Sequence, residues 1–113
     1  MEGIIELKDW EKIDLRVGEI VDVEEIENAD NLYKLRIDVG MEIGEKIVCA
    51  GIKKHYPIKI LKNKKVVFLA NLSSRKLKGI ESQGMILAAV SKDKSKVVLI
   101  SPEKDIDSGT KIS

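Results

Sequence analysis

The stretch Asn71-Leu72-Ser73-Ser74-Arg75-Lys76-Leu77-Lys78-Gly79-Ile80-Glu81-Ser82-Gln83-Gly84-Met85 is polar, basic and glycine-containing, and it holds no proline. The apolar run 66–70 leads into it and a second apolar run, 85–90, leads out. Two such runs around a polar segment read as strands that present a binding loop from a rigid sheet. Three cations, several amides and hydroxyls, and no nucleophile with a base beside it suit a loop that holds a phosphate backbone.

The charge around this loop is segregated. Residues 1–45 carry five Lys/Arg against fourteen Asp/Glu, a net of −9. Residues 46–80 carry ten Lys/Arg and no carboxylate, and the remainder balances at five of each sign, so the total is only +1. A 35-residue window of one sign inside a near-neutral chain is the footprint of an anion-binding face.

Outward from the loop, the sequence reads as short strands. Ile13, Leu15, Val17, Val21 and Val23 alternate with polar residues, which marks a half-buried strand, and Gly18 within it predicts a bulge or bend. Tyr33, Leu35, Ile37 and Val39 alternate in the same way, with Lys34 and Arg36 on the solvent face. A hairpin through residues 41–45 leads into a strand over 46–50. Pro57 disfavours helix before it, so a short helix is expected after it. Residues 66–70 and 85–90 are apolar on both faces and read as strands covered on two sides. Residues 97–100 form a last strand before a polar tail. Residues 7–12 suggest one helical turn, with Trp10 plugging one end of the core.

Five or six short strands bent at glycines, with a helix between the third and fourth, describe an all-β chain. The expected fold is a five-stranded OB-fold β-barrel with a C-terminal extension, formed by residues 1–113 as a single domain. Two ligand loops of that barrel, between strands 1 and 2 and between strands 4 and 5, would hold residues 28–32 and 71–83. An SH3-type barrel fits the helix position and the length less well.

Composition narrows the function. An apolar fraction of 43% with 35% charged residues suits a folded domain, and aromatics at 4% leave Val, Ile and Leu to build the core. One cysteine, Cys49, and one histidine, His55, exclude an intramolecular disulfide and leave no metal site of Cys or His ligands. No apolar run approaches the roughly 20 residues of a membrane span, and the acidic start has no signal-peptide pattern. The expectation is a cytoplasmic protein without a metal, a cofactor or a membrane partner. Ser73, Ser74 and Ser82 lack both a nucleophile elbow and a set of histidine bases, so catalysis is not expected.

Several separate motifs then match one family in order. Asp14-Leu15-Arg16-Val17-Gly18, Asn28-Ala29-Asp30-Asn31-Leu32, Val39-Gly40, Ala70-Asn71-Leu72, Lys76-Leu77-Lys78-Gly79 and Glu81-Ser82-Gln83-Gly84-Met85 together resemble the tRNA-binding domain family. That domain is appended to methionyl-tRNA synthetases or supplied as their β-subunit. It also occurs in free-standing tRNA-binding proteins and in a secretion-related chaperone. The resemblance covers roughly residues 7–113.

It implies a homodimeric barrel that binds tRNA by shape and backbone rather than by one anticodon, with the methionyl-tRNA synthetase catalytic chain as a further partner. Lys76 and Lys78 match the family's basic loop positions and are assigned to phosphates. Ser82, Gln83 and Met85 follow them, where they would meet a ribose or base edge, and Asn31 would lie beside them. Lys53 and Lys54 join the site on charge alone. Each has a plainer reading: Ser82, Gln83 and Asn31 as turn residues bonding backbone, and Met85 as core. The chaperone branch leaves unfolded polypeptide as an alternative ligand.

Overall fold

The first alternating run becomes β1 (Leu15–Glu25) in the computed structural model, which describes residues 2–113. β1 is long enough to serve two halves of one sheet. Its second half pairs with β2 (Tyr33–Asp38) and its first half with β4 (Lys65–Leu69), both antiparallel. β2 continues to β3 (Glu45–Ala50), and β4 continues to β7 (Met85–Ile86), giving the order β3-β2-β1-β4-β7. At the first half of β1, the edge left free by β2 is covered by β10 (Lys111–Ile112), the predicted C-terminal extension.

The two ends of this sheet meet through side chains. The Gln83 N–H donates to the Ile47 carbonyl at 2.7 Å, and the Ile47 N–H donates to Gln83 Oε1 at 3.1 Å. Beside them the Cys49 N–H donates to Ser82 Oγ at 3.0 Å. The result is a nearly closed, five-stranded antiparallel barrel of the OB type, as the strand pattern predicts. Phe68, Ile20, Leu35, Ile37, Leu61, Val39, Val48 and Val66 fill it, so aliphatic side chains around one phenylalanine build the core. The short helix follows Pro57 as expected: α3 (Ile58–Leu61) buries Leu61 and lies between β3 and β4, with the Asn63 N–H donating to the Ile20 carbonyl at 2.7 Å.

Two hairpins stand off the barrel: β5 (Arg75–Leu77) with β6 (Ile80–Ser82), and β8 (Ala88–Val90) with β9 (Val97–Leu99). The polar stretch between the apolar runs is therefore not an open loop. It is a hairpin.

Four expectations need correction. Gly18 does not form a bulge in β1, because the register with β4 runs unbroken from Leu15 to Glu19 and the irregularity against β2 falls between Ile20 and Asp22. A Cβ on Gly18 would lie 2.7 Å from Ile37 Cγ2, so glycine makes room for the neighbouring strand. The β2–β3 connection is a single helical turn, α2 (Gly40–Ile43), rather than a tight turn. Residues 85–90 do not form one covered strand. They split at Leu87, and Val90 and Val98 remain about half exposed on the β8–β9 hairpin. Trp10 does not plug the core; it ends the one-turn helix α1 (Leu7–Trp10) and lies beside Ile13, Lys111 and Ile112, 36% exposed.

Candidate nucleic-acid interface

The β5–β6 hairpin turns on two residues, since Leu77 pairs directly with Ile80. Lys78 and Gly79 both have positive φ, 52° and 79°, as a type I′ turn requires. That turn holds the Lys78 side chain at the tip. Lys76 sits two residues back, opposite Glu81 in the register, and both are exposed.

The inner face of the hairpin is apolar. Leu77 and Ile80 pack with Leu32 on a small cluster of Ile26, Ala29 and Cys49. Ile26, Ala29 and Leu32 belong to the β1–β2 connection. Burial of this second, minor core draws together the two segments singled out from the sequence, residues 28–32 and 71–83.

Asn31 ties in a third segment. Its carbonyl accepts from the Lys53 N–H at 3.2 Å, its Oδ1 accepts from the Lys54 N–H at 3.1 Å, and its Nδ2 donates to the Gly51 carbonyl at 3.3 Å. Asn31 thus carries Lys53 and Lys54 beside the β1–β2 connection, with its own polar atoms already engaged.

The cations differ in how free they are. Lys53 Nζ lies 2.7 Å from Glu25, and that hydrogen-bonded carboxylate raises its pKa above the usual lysine value. Lys65 is held by Asp105 at 2.9 Å. Among the described residues, the other eight cations of the 46–80 window have no carboxylate within ion-pair distance, and these include Lys54, Arg75, Lys76 and Lys78. By contrast, Lys34 faces Glu24 at 3.9 Å, and Arg36 faces Glu45 at 3.0 Å and Asp22 at 4.0 Å. Ion pairs across strands thus engage the basic residues of β2, whereas, among the described residues, no cation of the hairpin lies within ion-pair distance of a carboxylate, Glu81 opposite Lys76 included.

The remaining candidates sit on the barrel seam. Ser82 is 2% exposed with Oγ bound to the Cys49 N–H, and Gln83 spans to Ile47 through backbone and side chain. Met85 opens β7 and is 38% exposed, next to buried Ile86. Beside the seam runs a groove of about 190 Å³ between β3 and Met85, lined also by Arg75, Ala88 and Leu99. Arg75 was not among the residues singled out from sequence. Its place follows from the hairpin register, which sets it opposite Ser82.

Cys49 faces this groove with its thiol pushed up by burial, against the opposing influence of Lys34 and Arg75, so it stays protonated at neutral pH. Among the described residues, no group of three His, Cys, Asp or Glu side chains is placed to hold a metal ion. No helix of the described residues is long and apolar enough to cross a membrane.

Comparison with known proteins agrees with this geometry. The chain is 45% identical over 108 residues to the methionine–tRNA ligase of Pyrococcus furiosus and 47% identical over 111 residues to that of Deinococcus radiodurans. These alignments cover 96% and 98% of this chain but only 14% and 16% of the ligases, so the chain spans about one-seventh of their length. Among solved structures it superposes on a MetRS-related protein of Pyrococcus horikoshii with a TM-score of 0.90 and 32% identity, over 100% of both chains. The chaperone CsaA of Bacillus anthracis gives 0.88 and 31%, over 98% of this chain and 100% of that one. The family model described as "Putative tRNA binding domain" matches residues 15–111, which takes in the whole barrel and both hairpins. On that match and these relatives, the chain belongs to the tRNA-binding domain family.

Proposed function

We propose that the chain is a non-catalytic module that holds tRNA by its backbone and shape, and aids tRNA capture by a methionyl-tRNA synthetase as a separate subunit or as a free-standing protein in the cytoplasm. One observation carries the reading. Lys76 and Lys78 stand without an ion-pair partner on a hairpin packed against the β1–β2 connection, while the basic residues of β2 are paired. Lys54 extends the basic rim and Met85 adds an exposed apolar contact at its base. Ser82, Gln83 and Asn31 act in this reading mainly by holding the rim in place. Lys53 contributes charge only when Glu25 releases it.

The test is tRNA binding across a salt series. Replacing Lys76 and Lys78 by Ala should weaken binding to different tRNAs equally. It should also lower the slope of log K against log salt by up to about 0.9 for each duplex phosphate that the protein no longer neutralises. Unchanged affinity and slope would remove the hairpin from the site.

A second reading, binding of unfolded polypeptide, is favoured by the full-length likeness to the chaperone CsaA and by exposed Leu72 and Met85 near the hairpin. It predicts suppression of client aggregation that tRNA displaces. We also propose a homodimer through the outer face of β8–β9, where exposed Ala89 pairs with Val98, and Val98 and Ile100 are 54% and 41% exposed. Sedimentation as a monomer at micromolar concentration would refute it.

A further inference from the structure

The two faces of the β5–β6 hairpin carry different charge. Successive side chains of a strand point to opposite faces, and residues directly opposite across a ladder share one face. The register therefore puts Arg75, Leu77, Ile80 and Ser82 on one face, and Lys76 with Glu81 on the other. Leu77 and Ile80 pack on the minor core, and Ser82 Oγ accepts from the Cys49 N–H, so the first face is turned to the barrel. Arg75 lies on that side, where it lines the depression with Cys49, Ala50 and Met85.

Electrostatics separates the faces further. On the outer face Lys76 stands across from Glu81, so a phosphate approaching there meets one charge of each sign. On the barrel side no carboxylate is among the residues lining the depression, and Arg75 is their only charged group. The rest of the lining is mostly apolar, with Ala50, Ile52, Met85 and Ala88 among it. A charge against a wall of low polarity acts on an approaching ion more strongly than one surrounded by water. Arg16 is engaged with Asp14 and Glu42, and Arg36 with Glu45 and Asp22. Among the described residues, Arg75 is thus the one arginine without an ion pair.

We propose that Arg75 is a direct phosphate ligand of the bound RNA, and that the RNA backbone meets the hairpin on its barrel side rather than on its outer face. This rests on the tRNA-binding reading above and adds to it a residue and a direction. A guanidinium meets two phosphate oxygens at once, whereas an ammonium acts as a point charge. Arg75 therefore fixes the backbone, while Lys76 attracts it from the far face.

Three variants in one tRNA salt series test this. Arg75→Gln should weaken binding at least about tenfold and lower the salt slope by up to about 0.9, as the loss of one charge-assisted phosphate contact requires. Arg75→Lys should keep the slope and still weaken binding, because the charge stays and the fork is gone. Lys76→Gln combined with Glu81→Gln strips the outer face without changing the net charge, and it should bind as the wild type does. A second measurement uses wild-type protein labelled at arginine with phenylglyoxal and read by mass spectrometry. Arg75 should react in the free protein and lose that labelling when tRNA is saturating.

Wild-type affinity and slope in a folded Arg75→Gln overturns the proposal alone, as does labelling of Arg75 that saturating tRNA leaves unchanged. A loss of affinity in Lys76→Gln/Glu81→Gln with none in Arg75→Gln puts the RNA on the outer face and equally overturns it. Should Arg75→Gln not fold, the labelling of the wild type decides by itself. Absence of tRNA binding by the wild type overturns the proposed function and this contact with it.

Discussion

At Gly84 a Cβ would lie 2.5 Å from Phe68 Cζ and 2.6 Å from the Leu69 carbonyl, and φ is +101°. The residue lets the chain cross the end of the core ring at close range before Met85 emerges. Gly84→Ala should destabilise the fold by at least about 1–3 kcal/mol from backbone strain alone, measurable as a lower denaturation midpoint. It should also weaken tRNA binding by shifting Met85. Phe68 itself is fully buried, so Phe68→Ala should cost about 3–5 kcal/mol.

Asp93 gives a pH-dependent prediction. The Ser95 N–H and the Ser91 and Ser95 hydroxyls all donate to its Oδ1, which lowers its pKa from 3.8 to about 2. A carboxylate depressed by folding contributes stability above its unfolded pKa and loses it as pH falls through the folded one. Asp14, lowered chiefly by hydrogen bonds from Arg16 and Lys111, and Asp105, lowered by Lys65, act in the same direction. Stability should therefore fall as pH drops from 3.8 towards about 2, and Asp93→Asn should reduce that loss in thermal melts across the window.

At the scale of the element, the β5–β6 hairpin separates turn geometry from charge. Lys78 occupies a left-handed position that Asn adopts more readily. Lys78→Asn should keep or raise the melting temperature while lowering tRNA affinity and the salt slope. A drop in stability with unchanged binding would assign Lys78 to the turn and not to the ligand.

The hairpin also shows where the sequence stops being informative. Strands β1 and β2 are legible because alternation runs for six residues or more, β3 because it follows the expected hairpin, and α3 because Pro57 marks its start. β5 and β6 have three residues each, too few for a period, and Lys-Gly is a weaker turn signal than Asn-Gly. Ser82 and Gln83 were legible as polar residues beside the loop. Their bonds to Cys49 and Ile47 depend on the register of a strand more than 30 residues away, which no local pattern encodes. The same holds for Lys34 and Arg36, whose partners are chosen by pairing across strands.

Across the whole molecule, residues from both ends of the chain hold the barrel. The Gly109 N–H donates to the Val17 carbonyl, and the Val17 N–H donates to the Thr110 carbonyl. Arg16 reaches the Gly109 carbonyl at 3.2 Å and Lys111 Nζ reaches Asp14 at 3.0 Å. Removing residues 108–113 should lower the melting temperature and leave an open edge on β1, visible as self-association in light scattering. The proposed homodimer belongs to this scale: the apolar 85–90 run, read from the sequence as covered on both faces, is instead split and partly exposed. Within one chain its outer side lacks a cover, and a second copy would supply it.

The barrel seam has a consequence in time as well as in space. Elsewhere neighbouring strands are joined by backbone ladders, but β3 has no ladder to the 82–86 segment, and the N–H groups of Ile47 and Cys49 donate there to side chains, Gln83 Oε1 and Ser82 Oγ. Side chains let go more easily than ladders, so opening motions should begin there. In hydrogen–deuterium exchange the amides of Ile47 and Cys49 should lose protection before that of Leu35, inside the β2–β3 ladder. In the proposed reading, tRNA held on the hairpin beside this seam should slow that exchange, so occupancy could be read from two amides at the edge of one strand.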